Sequence, residues 1–232
     1  SGNVQFCMLP FFIEELSLFD IDRVLKIIKQ ENKRFVEPIV TTISRERTPF
    51  HVLISCLLSL RTRDQTTREA SNRLFAVADN PEDIMKIPAE RLEKLIYPVG
   101  FYRTKARKIK EICDVLIQTY QGKVPDEIDE LLKLNGVGRK TANLVVTLGY
   151  QKPGICVDTH VHRITNRWGY AKTKNPHETE FALREILPKK YWLTINDLLV
   201  TFGQNICVPI SPKCNHCPVN ALCKKIGVAR HR

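Results

Sequence analysis

Two stretches, Leu134–Leu148 (LNGVGRKTANLVVTL) and Val157–Val161 (VDTHV), organise the rest of the chain. Gly136 and Gly138 flank Val137 in a turn too tight for two ordinary residues, because glycine alone takes positive φ freely. The turn runs straight into a helical pattern with Ala142, Val145, Val146 and Gly149 on one face. A glycine turn opening a helix points bare N–H groups and the positive end of the helix dipole outward, a ready place for a phosphate. Lys140 falls in the first turn of that helix, where the dipole disfavours a cation. Burial and the dipole together are expected to lower its pKa toward a neutral, nucleophilic amine. Asp158 follows a Pro153-Gly154 break, on a segment able to fold back beside Lys140. On spacing alone, the simpler account is an exposed helical lysine and an N-cap aspartate.

Outward from these stretches, helical patterns fill the chain. Ile21, Val24, Leu25, Ile27 and Ile28 stand among charges in an amphipathic helix over 21–35. Thr48-Pro49 reads as a cap followed by proline at the first helical position, and the 50–60 body is apolar nearly all round. Helices are expected over 64–77, 82–86, 89–97 and 103–120, the last ended by Gly122, and Asp64 is expected to cap the first of these. Further helices are expected at about 160–168, 176–186 and 191–205. No sustained strand alternation occurs, so the fold class is all-α.

A formal net charge of +11 in 232 residues points to a polyanionic partner, nucleic acid or an acidic membrane surface. No apolar run approaches the roughly 20 residues of a membrane span, so no membrane partner is expected. No signal-peptide pattern opens the chain, and the cytoplasm, in association with the nucleoid, is the expected location. Nothing resembles a dimerisation coiled coil, and a monomer is expected.

Eight cysteines are unevenly spread. Cys7, Cys56, Cys113 and Cys156 are scattered, and Cys56 and Cys113 lie in apolar patterns where free cysteine packs as a small hydrophobe. Cys207, Cys214, Cys217 and Cys223 crowd one tail with intervals of six, two and five residues. Four thiolates so close together suit a soft metal centre, and both zinc and iron–sulfur accept four cysteines. His216 inside the loop is expected to be exposed. Lys213, Lys224, Lys225, Arg230 and Arg232 around it suggest a phosphate-contacting surface.

The hairpin L-x-G-V-G-R-K-T-A followed by V-D-T-H-V resembles the helix-hairpin-helix DNA glycosylases, specifically their endonuclease III family, and the match runs from about residue 21 to about 223. The resemblance implies a two-lobed helix-hairpin-helix glycosylase fold. One lobe is continuous and six-helical, about residues 43–152. The second joins 1–42 to 153–232 and carries a [4Fe–4S] cluster on the loop 207–223. It implies a bifunctional DNA glycosylase/AP lyase acting on oxidised pyrimidines in double-stranded DNA, with Lys140 and Asp158 as the catalytic pair. Lys140 attacks C1′ of a flipped nucleotide, Asp158 assists, and the Schiff base permits β-elimination on the 3′ side. Monofunctional relatives keep the aspartate and lack the lysine. The backbone of Gly136, Val137 and Gly138 is expected to grip a phosphate, with Arg139 and Thr141 as supports, and His160 to pack at the cleft.

Two positions depart from the family. Phe101, in Val99-Gly100-Phe101-Tyr102, stands where the family often has a wedging leucine. Arg61 stands where relatives usually have a glutamine that fills the hole left by the flipped base. Arginine hydrogen-bonds an orphan guanine or contacts phosphate, so lesion and opposite-base preference stay open while the reaction class does not. The rival readings are a mismatch-specific glycosylase of the same superfamily and a non-catalytic iron–sulfur DNA-binding module.

Overall fold

The structure, a computed structural model, describes residues 19–36 and 48–232. Cys7 and the expected lobe boundary at 42/43 lie outside the described residues. Among the described residues every regular element is helical.

Helix α1, Ile21–Asn32, starts at Asp20, whose Oδ1 accepts the Arg23 amide at 2.9 Å, and it buries Ile21, Val24, Leu25 and Ile28 as one stripe. Helix α2, Pro49–Ser59, begins as expected at Thr48, with His51 Nδ1 reaching back to the Thr48 amide at 3.2 Å. Phe50–Leu58 are all buried, so α2 is the central rod of its surroundings. Against it pack α3 (Asp64–Phe75) and, beyond α4 (Pro81–Lys86) and α5 (Ala89–Ile96), α6 (Tyr102–Tyr120), while α4 packs on α6 and α5 on both α3 and α6. Arg63 occupies the N-cap of α3 and Asp64 the first helical position, so Asp64 complements the dipole and does not cap. Helix α6 ends in two left-handed residues, Gln121 (φ 55°) before Gly122 (φ 75°). The short α7 (Ile128–Leu132) and α8 (Arg139–Leu144, continued by a π-turn at Val145–Gly149) form the hairpin.

Helices α9 (Thr159–Trp168), α10 (Pro176–Ile186) and α11 (Ile195–Asn205) follow. The last begins four residues later than expected, because Lys189–Tyr191 forms a separate 3₁₀ turn. Two hydrophobic cores result. One gathers side chains from Phe50 to Val146 plus Cys156; the other joins α1 to α9, α10, α11 and Val219. Helix α1 is tied across the sequence by Asn32 Nδ2 donating to Leu198 O at 2.9 Å, while Phe19 stacks on Trp168. Between the cores the chain runs through Ile155-Cys156-Val157. Ile155 and Val157 enter the second core and Cys156 the first, the alternation of an extended segment.

Candidate active site

The hairpin turn has one residue that only glycine suits: Gly136 at φ 90°. Gly138, at φ −96° and ψ 172°, is extended, contrary to the expectation that both glycines need positive φ. Val137 between them is buried and anchors the turn in the first core. Lys140 emerges from the first turn of α8 with its side chain 49% exposed, so the burial expected of it is absent. Asp158, 7% exposed, is the N-cap of α9: Oδ1 accepts the His160 and Val161 amides at 2.8 and 2.9 Å. Its other oxygen, Oδ2, lies 3.7 Å from Lys140 Nζ. Capping and the lysine contact are therefore two uses of one carboxylate, each oxygen having its own.

His160 packs beside this pair, half-buried. Arg163 Nη2 lies 3.1 Å from its Nδ1. Burial lowers the imidazole pKa, opposed by Asp158 and reinforced by Arg163 and Lys140.

Arg139 turns toward α10. Its Nε and Nη2 donate to Glu180 Oε2 and Oε1 at 2.9 and 2.6 Å, and Arg184 Nη2 donates to Oε1 at 2.9 Å. Thr141 is buried. The exposed residues of the hairpin turn and helix start are thus Asn135, Gly136, Gly138 and Lys140, with Arg139 and Thr141 engaged within the protein. Glu180 went unnoticed in the sequence, where it is one acid among 25 Asp and Glu residues.

Arg61 and Phe101 form a second, separate feature. Both have left-handed backbones, at φ 53° and 58°, and the Arg61 guanidinium lies 5.7 Å from the Phe101 ring centroid. Phe101 is 64% exposed and caps the start of α6.

The four tail cysteines are unpaired and line one cavity with Arg167, Trp168, Phe202 and Ile206. Arg167 Nη1 lies 3.3 Å from Cys207 Sγ, and the Lys225 amide donates to Cys223 Sγ at 3.3 Å. Such donors suit sulfurs that carry negative charge. Among the described residues, no three histidine, cysteine or carboxylate side chains converge as a site for one metal ion. His216 is exposed, as expected.

Residues 54–189 match the family described as HhH-GPD superfamily base excision DNA repair protein. The chain belongs to that superfamily. It is 50% identical over 180 residues to endonuclease III of Thermotoga maritima, covering 78% of this chain and 84% of that protein. It is similar to a trapped endonuclease III–DNA covalent intermediate, with a TM-score of 0.78 and 37% identity over 88% of this chain and 94% of that one. A thermostable thymine-DNA glycosylase is also similar, at TM-score 0.77 and 27% identity over 88% and 93% of the two chains. Within the superfamily, the chain is an endonuclease III-type DNA glycosylase with AP lyase activity, an enzyme of base excision repair that binds DNA. No helix among the described residues is long and apolar enough to cross a membrane.

Proposed function

We propose that this enzyme removes oxidised pyrimidines, such as thymine glycol, from double-stranded DNA and cuts 3′ of the abasic site, with Lys140 as nucleophile and Asp158 as its partner. The observation that carries this reading is the 3.7 Å approach of Lys140 Nζ to Asp158 Oδ2 where the two cores meet. Asp158 is pre-oriented, because its Oδ1 is held by two amides of α9 and its Oδ2 is left to face the amine. The neutral amine attacks C1′ of the flipped nucleotide, the glycosidic bond breaks, and the base departs with the proton that nitrogen sheds, relayed by Asp158. Asp158 accepts the proton shed by nitrogen and stabilises positive charge on the sugar. Ring opening gives an imine between Nζ and C1′. Loss of a C2′ proton then expels the 3′ phosphate, and hydrolysis frees the lysine.

The backbone of Gly136, Val137 and Gly138 grips a phosphate, Arg61 and Phe101 enter the duplex, and His160 shapes the cleft floor. Arg139 and Thr141 support the hairpin from within. The tail cysteines hold a [4Fe–4S] cluster: four thiols ringing a cavity suit a cluster better than a single ion, and nearby N–H donors favour charged sulfurs. When bound, the cluster ties the tail to the second core and supports a basic DNA-facing surface. The two cores support a division into lobes at about 43–152 and at 1–42 with 153–232. The enzyme acts as a monomer and associates with the nucleoid through its DNA.

Borohydride trapping on thymine glycol duplex, with Lys140→Gln in parallel, tests the mechanism. A covalent protein–DNA band in the wild type and none in the variant is expected. A band on abasic duplex alone refutes the lesion assignment, and no band on either DNA refutes the lysine mechanism. The likeness to a thymine-DNA glycosylase and the exposed Arg61, suited to an orphan guanine, favour a second reading as a G·T mismatch enzyme. Excision from a G·T duplex in the same series decides between them.

A further inference from the structure

Lys105 lies on α6, away from Lys140, and is buried. Its ammonium donates to Leu58 O at 2.8 Å, Leu60 O at 2.6 Å and Thr62 Oγ1 at 3.2 Å. All three partners are neutral, and burial lowers its pKa to about 8. A lysine is rarely buried without a carboxylate, so its placement calls for an account. The two carbonyls belong to the last turn and cap of α2, where the dipole favours a cation. The hydroxyl of Thr62 does more, because it also accepts the Gly100 amide at 3.2 Å. Lys105 and Thr62 therefore bridge the turn that carries Arg61 and the turn that carries Phe101. The two turns are in close contact: a Cβ on Gly100 would fall 2.6 Å from Arg61 O.

We propose that Lys105 is a positioning residue for strand wedging: through Leu58, Leu60 and Thr62 it locks the Arg61 turn to the Phe101 turn, so that both side chains enter DNA as one unit. This rests on the reading of Arg61 and Phe101 as DNA-contacting residues. Left-handed backbone at two non-glycine residues persists only where the surroundings impose it, and the shared hydrogen bonds at Lys105 and Thr62 supply that constraint. The guanidinium over the Phe101 ring then makes a single polar-tipped aromatic probe, able to fill a gap in the stack and hydrogen-bond the orphan base.

The test uses the full-length holoenzyme as wild type, Lys105→Met, Arg61→Ala/Phe101→Ala and the triple variant. One probe is a duplex with an abasic analogue opposite 2-aminopurine, whose fluorescence reports unstacking of the orphan base. The other is the ratio of thymine glycol excision to cleavage of a preformed abasic site in single turnovers. For Lys105→Met, the fluorescence response and the ratio are each expected to fall about tenfold. The same substitution should add nothing to the Arg61→Ala/Phe101→Ala background, because Lys105 acts through those residues. An unchanged ratio, or the full loss repeated in that background, overturns the proposal and leaves Lys105 with a purely structural role. An unchanged fluorescence response in Arg61→Ala/Phe101→Ala instead overturns the wedge reading beneath it. Should Lys105→Met fail to fold, Thr62→Val removes the bridge while sparing both carbonyl contacts. It is expected to lower the ratio about threefold, and an unchanged ratio overturns the proposal.

Discussion

Replacing Glu180 by glutamine tests the link between the hairpin and α10. The Glu180 side chain is 4% exposed and accepts from Arg139 and Arg184, which keep 29% and 22% exposure. Burial alone would raise its pKa, but hydrogen bonds from Arg139 and Arg184 outweigh it, and the carboxyl stays below its ordinary value. A hydrogen bond to a charged group contributes about 1.5–3 kcal/mol, and removing one partner of a buried pair costs about 3–5 kcal/mol. Water partly rehydrates both arginines, which brings the expected loss down to about 2 kcal/mol. For a chain of this size that lowers Tm by about 4–8 °C. The contribution of a depressed carboxyl is present above its unfolded pKa and is lost as pH falls through the folded value. The gap between wild type and Glu180→Gln should therefore close in acid. Thermal melts of wild type, Glu180→Gln, Arg139→Met and the double variant at neutral pH would give a coupling of about 1–2 kcal/mol. Additive single effects would refute the claim that Glu180 holds Arg139, and with it the support of Lys140 through its neighbour.

Gly203→Ala places a Cβ 2.4 Å from His160 Nδ1. Overpacking of about 1–3 kcal/mol exceeds the helix-propensity gain of up to about 1 kcal/mol, so Tm should fall in a melt; a rise would refute the close packing. Lys105 titrates at about 8 when folded, against about 10.4 unfolded. Between these values the unfolded chain holds the extra proton, so stability rises with pH, by at most about 1.4 kcal/mol per unit. Urea unfolding at pH 8 and 10 should show wild type gaining on Lys105→Met; a constant difference would refute the shift. Cys217→Ser should abolish the brown visible absorption expected of an iron–sulfur protein and lower its melting temperature. Purified wild type that is colourless and contains zinc would refute the cluster assignment.

Much of the first core was legible because its causes are local. Thr48-Pro49 and the apolar run after it fix α2, and the Gly136 turn fixes the hairpin, since each needs only neighbours to form. The partnership of α1 with α11 was not legible, because amphipathicity says that a face is covered and not by what. Arg139 reads like a DNA-facing cation, and only the fold brings Glu180 to it. No glycine stands at the left-handed positions Arg61 and Phe101 themselves, and the contacts that impose them come from Lys105, more than 40 positions beyond Leu58. The Lys140–Asp158 pairing lies between. The motif named both residues, but their approach depends on a crossing segment whose alternation is only three residues long.

That α1 packs with α9, α10 and α11 has a consequence for synthesis at the ribosome. Residues from Phe50 to Cys156 can condense as soon as they emerge, whereas the second core has to wait for Val219. Domains acquire structure as units while the chain lengthens. Asp158 takes its place only when α9 has partners to pack against, so the nascent chain displays Lys140 before its carboxylate partner is fixed. Under the proposed Lys140–Asp158 chemistry, a ribosome-bound or truncated product would attract DNA yet be unarmed, and would gain the capacity to cut strands only at the last stage of assembly.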